Sequence, residues 1–190
     1  AYTGLFSLLA SAAGARDIYA FEPTPEIFDR LQRNFAINQV PDVHPFQLAV
    51  SDTARQVDFY VTVAEGELPT DSSLEEGFRP NARRITVQAV TLDQFVRAQD
   101  VRNVDLIKLD TEKAEHKVLS GGRELLQRDK PTIICEILPG PGEQIIGALL
   151  LPLGYRFFHM AMSGLVERSD LSAQSERNYL LVPPHRMQDI

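Results

Sequence analysis

The alternation of short apolar segments with longer segments of helical periodicity constrains the fold most strongly. Residues 104–109 form an apolar run of strand length, and the following residues 111–128 carry many charges. In the segment 23–39, Ile27, Leu31 and Phe35 recur at steps of four, as on one face of a helix. This order predicts an α/β domain in which helices cover a mostly parallel, doubly wound sheet.

The remaining segments extend this organisation to the C-terminal end of the chain. Residues 155–160 and 178–183 predict an antiparallel strand pair, because both are short and apolar. Residues 64–84 combine turn formers and charges, and they are the candidate for a lid, a contact to an acceptor, or a surface excursion. No linker or internal repeat divides the 190 residues, so a single domain over 1–190 is predicted.

Four of the predicted strands end in a carboxylate. Ligands of open α/β sheets bind outside the carboxyl ends of the strands, so acids at these positions predict a crevice lined with hydrogen-bond acceptors. Each acid taken alone also has a structural explanation, as a turn starter, a helix cap or a partner of a helix dipole. The four are Glu22, Asp52, Asp110 and Glu136.

The spacing of Glu22 indicates the kind of ligand. Glu22 follows Gly4 by eighteen residues, with a predicted helix and strand between them. An acid about twenty residues beyond a glycine turn can accept hydrogen bonds from ribose hydroxyls. The pattern favours a nucleoside ligand and leaves open whether it is NAD or S-adenosylmethionine.

The charged segment after residue 110 supplies candidates for proton transfer. Asp110 and Glu112 lie at the turn from strand to helix, and His116 follows Glu112 by four residues, which places both on one face of a continuous helix. An imidazole suits a general base near neutral pH, although a surface residue of a charged helix is the favoured explanation of His116.

Composition excludes some classes of protein. The net charge of −7 argues against binding of nucleic acid. The single cysteine, Cys135, allows no intrachain disulfide, which favours a reducing compartment and predicts a cytoplasmic protein. The longest apolar stretch, residues 145–154, is too short to span a bilayer, and no secretory signal is visible.

The segments "TGLFSLLASAAGARDIYAFEPTPEIFDRLQRNFAIN", "LAVSD", "VTLDQF" and "VDLIKLDTEKAEHKVLSGG", in this order and spacing, resemble the FkbM-type methyltransferases over nearly the whole chain. The resemblance implies the class I methyltransferase fold, which is Rossmann-like, with S-adenosylmethionine as the cofactor. It also implies O-methylation of a small hydroxylated acceptor, such as a sugar, a glycolipid or a natural product.

The resemblance assigns the cofactor contacts residue by residue. Gly4 matches the end of the family's first glycine motif and is expected against the cofactor, and Glu22 matches the acid that holds the ribose. Ser51 and Asp52 match the end of the third strand, where the adenine is expected. Asp110 begins the family's acidic signature and is expected to contact both the cofactor and the acceptor.

The acidic signature of the family reads D-x-E-G-x-E, and here it corresponds to Asp110, Glu112 and Glu115. The glycine of the signature is replaced by Lys113, which we interpret as a tolerated cation that turns to solvent. Asp110, Glu112 and His116 are the predicted catalytic residues.

The family's first strand would precede Ala1 and would lie between the strands that end at Glu22 and Asp110. Its absence predicts unpaired backbone groups on both neighbours. We interpret the sequence as part of a longer chain; a rearranged sheet or an exchanged strand is the less favoured alternative.

Three further alternatives stay open from the sequence. A non-catalytic nucleoside-binding or scaffold domain would also explain Lys113. A nicotinamide dehydrogenase lacks any visible group of residues for hydride transfer. A magnesium site of Asp110, Glu136 and His116 lacks dedicated ligand spacing, so no metal is predicted. Nothing in the sequence marks an oligomer interface.

Overall fold

The computed structural model describes residues 1–62, 72–74 and 82–190. Within these ranges, helices and strands alternate through most of the chain and strands predominate at its C-terminal end. The helices are α1 (Leu5–Ala12), α2 (Pro25–Asn38), α3 (Leu92–Ala98), α4 (Glu115–Ser120), α5 (Arg123–Arg128) and α6 (Gly142–Leu150), with 3₁₀ turns at Leu151–Leu153 and Pro184–Asp189.

The described strands are short, from two to eight residues. They are β1 (Ile18–Phe21), β2 (Val43–Phe46), β3 (Ala49–Val50), β4 (Gln56–Val61), β5 (Ser72–Ser73), β6 (Arg83–Val90), β7 (Leu106–Leu109), β8 (Thr132–Glu136), β9 (Arg156–Ala161), β10 (Gly164–Arg168) and β11 (Asn178–Val182). The α/β class predicted from the sequence is therefore confirmed.

The described strands form three sheets. β1 pairs with β2 in a parallel sheet of two strands; a second sheet has the order β10-β9-β11-β8-β7, and a third the order β3-β6-β4-β5. Three of the strand pairs are parallel and five are antiparallel. The expectation of a mostly parallel sheet is thus wrong, because hairpins and long returns join most of the later strands. The doubly wound arrangement and the single domain over 1–190 stay predictions.

The predicted C-terminal antiparallel pair is confirmed. β9 and β11 pair with Tyr179 opposite His159 and Val182 opposite Arg156. The sequence did not indicate β10, which forms a hairpin with β9 and is exposed along its length.

The apolar stripe of α2 is buried as its periodicity predicts. Ile27, Leu31 and Phe35 are 2%, 0% and 6% exposed. Thr24 occupies the N-cap position and Pro25 the first helical position, as expected, although the Thr24 hydroxyl does not cap the helix. The helix begins three residues after Glu22, which itself follows the last residue of β1.

Two segments differ from their predicted form. The run 43–52, predicted from the sequence as one strand ending at Asp52, breaks at residues 47–48; β2 joins β1, whereas β3 joins β6 in another sheet. The segment 111–128 is not one helix either. It forms a turn at 111–114, then α4 and α5, which are separated at Gly121, where a Cβ atom would stand 2.2 Å from the backbone oxygen of Ser51.

β1 and β7 are each the last strand of their sheet in the described structure. Helix α1 lies beside β7, since the Lys108 ammonium sits 5.1 Å from the centroid of the Phe6 ring. Within the described ranges, no helix combines the length and the apolar character that crossing a bilayer demands. Most of the predicted lid at 64–84 falls outside the described residues.

Candidate active site

The turn that follows β7 brings the acidic signature to the carboxyl end of the sheet. Glu112 and Lys113 have positive φ angles of 53° and 77°, so this turn is left-handed at both positions. The buried carboxylate of Glu115 holds it: Oε1 accepts hydrogen bonds from the backbone N–H of Thr111 at 2.7 Å and from its hydroxyl at 3.0 Å. The Ser73 hydroxyl donates to the backbone oxygen of Glu112. Contacts from both sides therefore fix the turn.

The left-handed turn corrects the geometry expected for the candidate base. Glu112 lies outside α4, which begins at Glu115, so Glu112 and His116 do not share a helical face. Lysine and glutamate are good helix formers, and the sequence therefore favoured a helix where the chain turns instead. The Nδ1 atom of His116 is enclosed, and among the described residues it has no hydrogen-bond partner.

Three carboxylates meet at the ends of β7 and β8. Each of Asp110, Glu112 and Glu136 places an oxygen within 4.8 Å of the other two. Two cations flank the group, with Lys108 Nζ 3.5 Å from Asp110 Oδ2 and Arg177 Nη1 3.9 Å from Glu136 Oε1. The register explains the meeting, since Leu109 lies opposite Cys135 and the next residues on both strands are acids.

Glu136 has a perturbed protonation equilibrium. Burial raises its pKa most, the negative charges of Asp110 and Glu112 add to the increase and Arg177 opposes it, and together they bring the pKa to about 7. A carboxyl group with a pKa near neutrality can take up and release a proton in the physiological range. The sequence marked Glu136 only as a strand-end acid; its adjacency to Asp110 depends on which strands pair.

The magnesium alternative from the sequence does not come together with the residues that it named. His116 is not a member of the carboxylate group, which consists of Asp110, Glu112 and Glu136. These three carboxylates could hold a cation, although exposed acidic groups are common without one.

A cavity of about 490 Å³ opens beside Glu136. Its walls come from the turn after β7, the first residues of α4, and the loop that joins β8 to α6. The cavity brings a titratable carboxyl group, a histidine and a lysine to one concave surface, the usual form of a small-molecule site. The lining includes Lys113, His116, Glu136, Leu138 and Gly142.

Glu22 is buried at the end of β1 and is 6% exposed. Its Oε1 accepts the backbone N–H of Thr24 at 3.0 Å, and its Oε2 accepts the backbone N–H of Tyr2 at 2.8 Å and the amino group of Ala1 at 3.3 Å. A carboxylate has about four acceptor positions, so three donors leave capacity for one more. The expected contact of Glu22 with a ribose hydroxyl stays a prediction.

Gly4 has a structural reason to be glycine. Its φ is +87°, and a Cβ atom would stand 2.5 Å from the Phe35 ring and 2.7 Å from Leu31. Its expected contact with a cofactor stays a prediction.

Ser51 and Asp52 follow β3 and lie in a different sheet from Glu22. The Ser51 hydroxyl donates to Asp52 Oδ1 at 3.2 Å, and the Asp52 side chain is exposed. Of the four strand-end acids, Asp110 and Glu136 thus share one cluster, and Glu22 and Asp52 are not part of it. The wider crevice expected to join all four acids stays a prediction.

Comparison with known proteins decides the family. The model of the methyltransferase FkbM domain matches residues 1–161. The chain belongs to the FkbM methyltransferase family. The resemblance noted from the sequence is thereby confirmed.

The fold of this FkbM domain is similar to that of a solved relative. The crystal structure of the methyltransferase FkbM from Methylobacillus flagellatus superposes with a TM-score of 0.55 at 14% sequence identity, and the match covers 94% of this chain and 40% of the other. At this identity the likeness supports the fold alone.

Curated relatives of the FkbM domain include two methyltransferases. The 2-O-methyltransferase NoeI of Sinorhizobium fredii is 24% identical over 60% of this chain and 50% of its own length. The hexuronic acid methyltransferase AglP of Haloferax volcanii is 27% identical over 70% of this chain and 52% of its own. The AMB antimetabolite synthetase AmbE of Pseudomonas aeruginosa is 30% identical over 62% of this chain and 7% of its own. The chain therefore spans about half the length of the two methyltransferases it matches.

Proposed function

We propose that this FkbM domain binds S-adenosylmethionine and methylates a hydroxyl group of a sugar or another small acceptor. The carboxylate group at the ends of β7 and β8, beside a cavity, is the observation that carries the proposal. The relatives support the acceptor class, because one is a 2-O-methyltransferase and another a hexuronic acid methyltransferase.

The residues present fit the proposed cofactor. Glu22 has the remaining acceptor capacity that a ribose hydroxyl requires, and Asp52 presents an exposed carboxylate at the end of β3. The carboxylates of Asp110, Glu112 and Glu136 create a negative potential, which favours a cationic ligand such as a sulfonium. When bound, S-adenosylmethionine supplies the methyl group, and the electron pair of the broken C–S bond stays on sulfur.

The protein contributes position and proton transfer. Holding an acceptor oxygen close and aligned lowers such a barrier by roughly 7–11 kcal/mol, and a general base adds about 10²–10⁴-fold in rate. Glu136 lines the cavity and has a pKa of about 7, so we assign it the proton released by the acceptor hydroxyl. Asp110 and Glu112 keep their proposed roles beside it, whereas the enclosed Nδ1 makes His116 the weaker candidate.

Two alternatives from the sequence lose support. Lys113 had favoured a non-catalytic scaffold, because a cation inside a methyl-donor pocket would oppose the cofactor. Its side chain is exposed and lines the cavity proposed for the acceptor, so it need not oppose the cofactor. The comparisons do not support a nicotinamide dehydrogenase, because the two relatives of which this chain covers about half are methyltransferases.

The test is methyl transfer from labelled S-adenosylmethionine to a panel of hexuronic acids and neutral sugars. We expect transfer by the wild-type chain, with kcat/KM that increases with pH through about pH 7 because Glu136 must be ionised to act as a base. Glu136→Gln should lose about 10²-fold in kcat and keep the KM for the cofactor. Glu22→Gln should instead weaken cofactor binding.

Binding of S-adenosylhomocysteine without transfer to any acceptor would contradict the catalytic proposal and favour the scaffold. Preferential binding of NAD would overturn the cofactor assignment.

A further inference from the structure

Lys113 stands at the cavity in a conformation that lysine rarely adopts. Its φ is +77°, in the left-handed region, which strains an L-residue and leaves glycine unstrained. The matching position of the family signature holds glycine, so a residue that fits the turn without strain was replaced by a strained one. Strained residues concentrate at functional sites, where the side chain has a role that offsets the cost.

The Lys113 side chain is placed to meet a ligand. It is exposed, it lines the cavity, and it forms no ion pair with any residue in the described parts of the chain. Glu136 lies on the more buried side of the same cavity, with 17% of its side chain exposed. An acceptor that enters the cavity therefore meets the ammonium group at the rim and the carboxyl group further in.

Other charged side chains also line the cavity. Glu115 is buried and bound to Thr111, and Oε1 of Glu143 accepts the backbone N–H of Ala173 at 3.1 Å, but both carboxylates keep their charge. Lys117 is a second cation of the lining. An anionic group is therefore expected to bind at the exposed Lys113 side chain and not deeper in the cavity, beside the carboxylates.

We infer that Lys113 determines acceptor specificity by binding an anionic group, a carboxylate or a phosphate, on the hydroxylated acceptor. This inference rests on the proposed function and refines it, because it names the acceptor as a negatively charged sugar-like molecule. The ammonium and the anion form a charge-assisted contact at the rim, which turns a hydroxyl of the same molecule toward Glu136.

The experiment measures binding of three probes to the full chain saturated with S-adenosylhomocysteine, by NMR titration. D-glucuronate and D-glucose 6-phosphate carry the two anionic groups, and D-glucose is the neutral probe. We expect the wild-type chain to bind at least one anionic probe about tenfold more tightly than D-glucose. The stronger anionic probe identifies the group as carboxylate or phosphate.

Two variants isolate the side chain. Lys113→Gly should reduce the affinity for the preferred anionic probe to that for D-glucose, and Lys113→Arg should retain most of the preference. Lys130→Gly is the matched control, because Lys130 also has a positive φ, of 47°, and lies before β8 at the opposite end of that strand from Glu136. It should bind all probes like the wild type.

Equal affinity of the wild-type chain for charged and neutral probes would overturn the inference, as would an unchanged preference in Lys113→Gly. Binding of S-adenosylhomocysteine, measured first without sugars, separates this result from failure of the proposed function. Failure of that first step overturns both, whereas cofactor binding and methylation of neutral sugars alone overturn only the role of Lys113.

Discussion

Asp110 and Glu136 end neighbouring parallel strands, and their carboxylate oxygens lie within 4.8 Å of each other. Two negative charges this close disfavour ionisation of the more buried partner. Glu136 is that partner, and burial together with Asp110 and Glu112 raises its pKa to about 7. The contact with Asp110 that helps to give Glu136 a pKa near neutrality therefore also makes the folded protein less stable when Glu136 is ionised.

The free energy of unfolding should decrease as pH rises from about 4.5 to about 7. In this window the unfolded chain ionises Glu136, whose ordinary pKa is 4.5, while the folded chain still holds the proton. Glu136→Gln removes this proton uptake. Between pH 4 and pH 8, the variant should therefore lose less free energy of unfolding than the wild type, by on the order of 1 kcal/mol after a discount for solvent screening. Urea unfolding at both pH values measures the difference.

Glu124→Gln serves as the control for that series. Glu124 is exposed and pairs with Arg97 at 2.8 Å, away from the carboxylate group. Its loss should leave the pH dependence of the wild type intact. The same pH dependence in Glu136→Gln and in the wild type would show that Glu136 ionises normally in the fold.

Replacement of Lys113 by glycine should not destabilise the protein. Glycine removes the left-handed strain of roughly 1–2 kcal/mol and adds about 0.5–1 kcal/mol of chain entropy to the unfolded state. We expect Lys113→Gly to gain between zero and about 1.5 kcal/mol, and Lys130→Gly to behave alike. A loss above about 1 kcal/mol, measured by urea unfolding, would show that the Lys113 side chain supports the fold itself.

Periodicity predicted the parts of the fold that local sequence controls. The stripe of Ile27, Leu31 and Phe35 was readable, because a helix that buries one face must repeat its apolar residues every three to four positions. The pairing of β9 with β11 was also predictable from the sequence, since both segments are short and apolar with no helix between them.

The site was predictable only in part. The acids at strand ends were visible, but pairing decides which ones meet, and pairing depends on contacts far apart in sequence. Asp110 meets Glu136 because β7 pairs with β8, whereas the break at residues 47–48 sends Asp52 to another sheet. The turn at Glu112 and Lys113 was missed, since neither residue type signals a positive φ.

Gly4 and Gly14 lie at the two ends of α1, and alanine at each position separates the cost of backbone strain from the cost of overpacking. Both are left-handed, with φ values of 87° and 90°, but a Cβ atom at Gly4 would meet Phe35 and Leu31, whereas one at Gly14 has nothing within 4 Å. Gly14→Ala should cost about 1 kcal/mol from strain alone. Gly4→Ala should cost about 2–4 kcal/mol, because overpacking adds to the strain. Equal losses in urea unfolding would mean that α1 moves away from α2 at little cost.

Thr24 and Thr91 occupy the same position at the start of two helices, but their hydroxyls differ in what they bind. Thr91 Oγ1 accepts the backbone N–H of Gln94 at 3.1 Å, so Thr91→Val should cost about 1 kcal/mol through the lost cap.

Thr24 Oγ1 is buried and, among the described residues, lacks a hydrogen-bond partner. Valine has the same shape without the polar atom, so Thr24→Val should be neutral or stabilising by up to about 1 kcal/mol. Thermal and urea unfolding of both variants give the comparison. A clear loss in Thr24→Val would reveal a partner for that hydroxyl, and the sign of the change therefore reports directly on the polar environment beside Glu22.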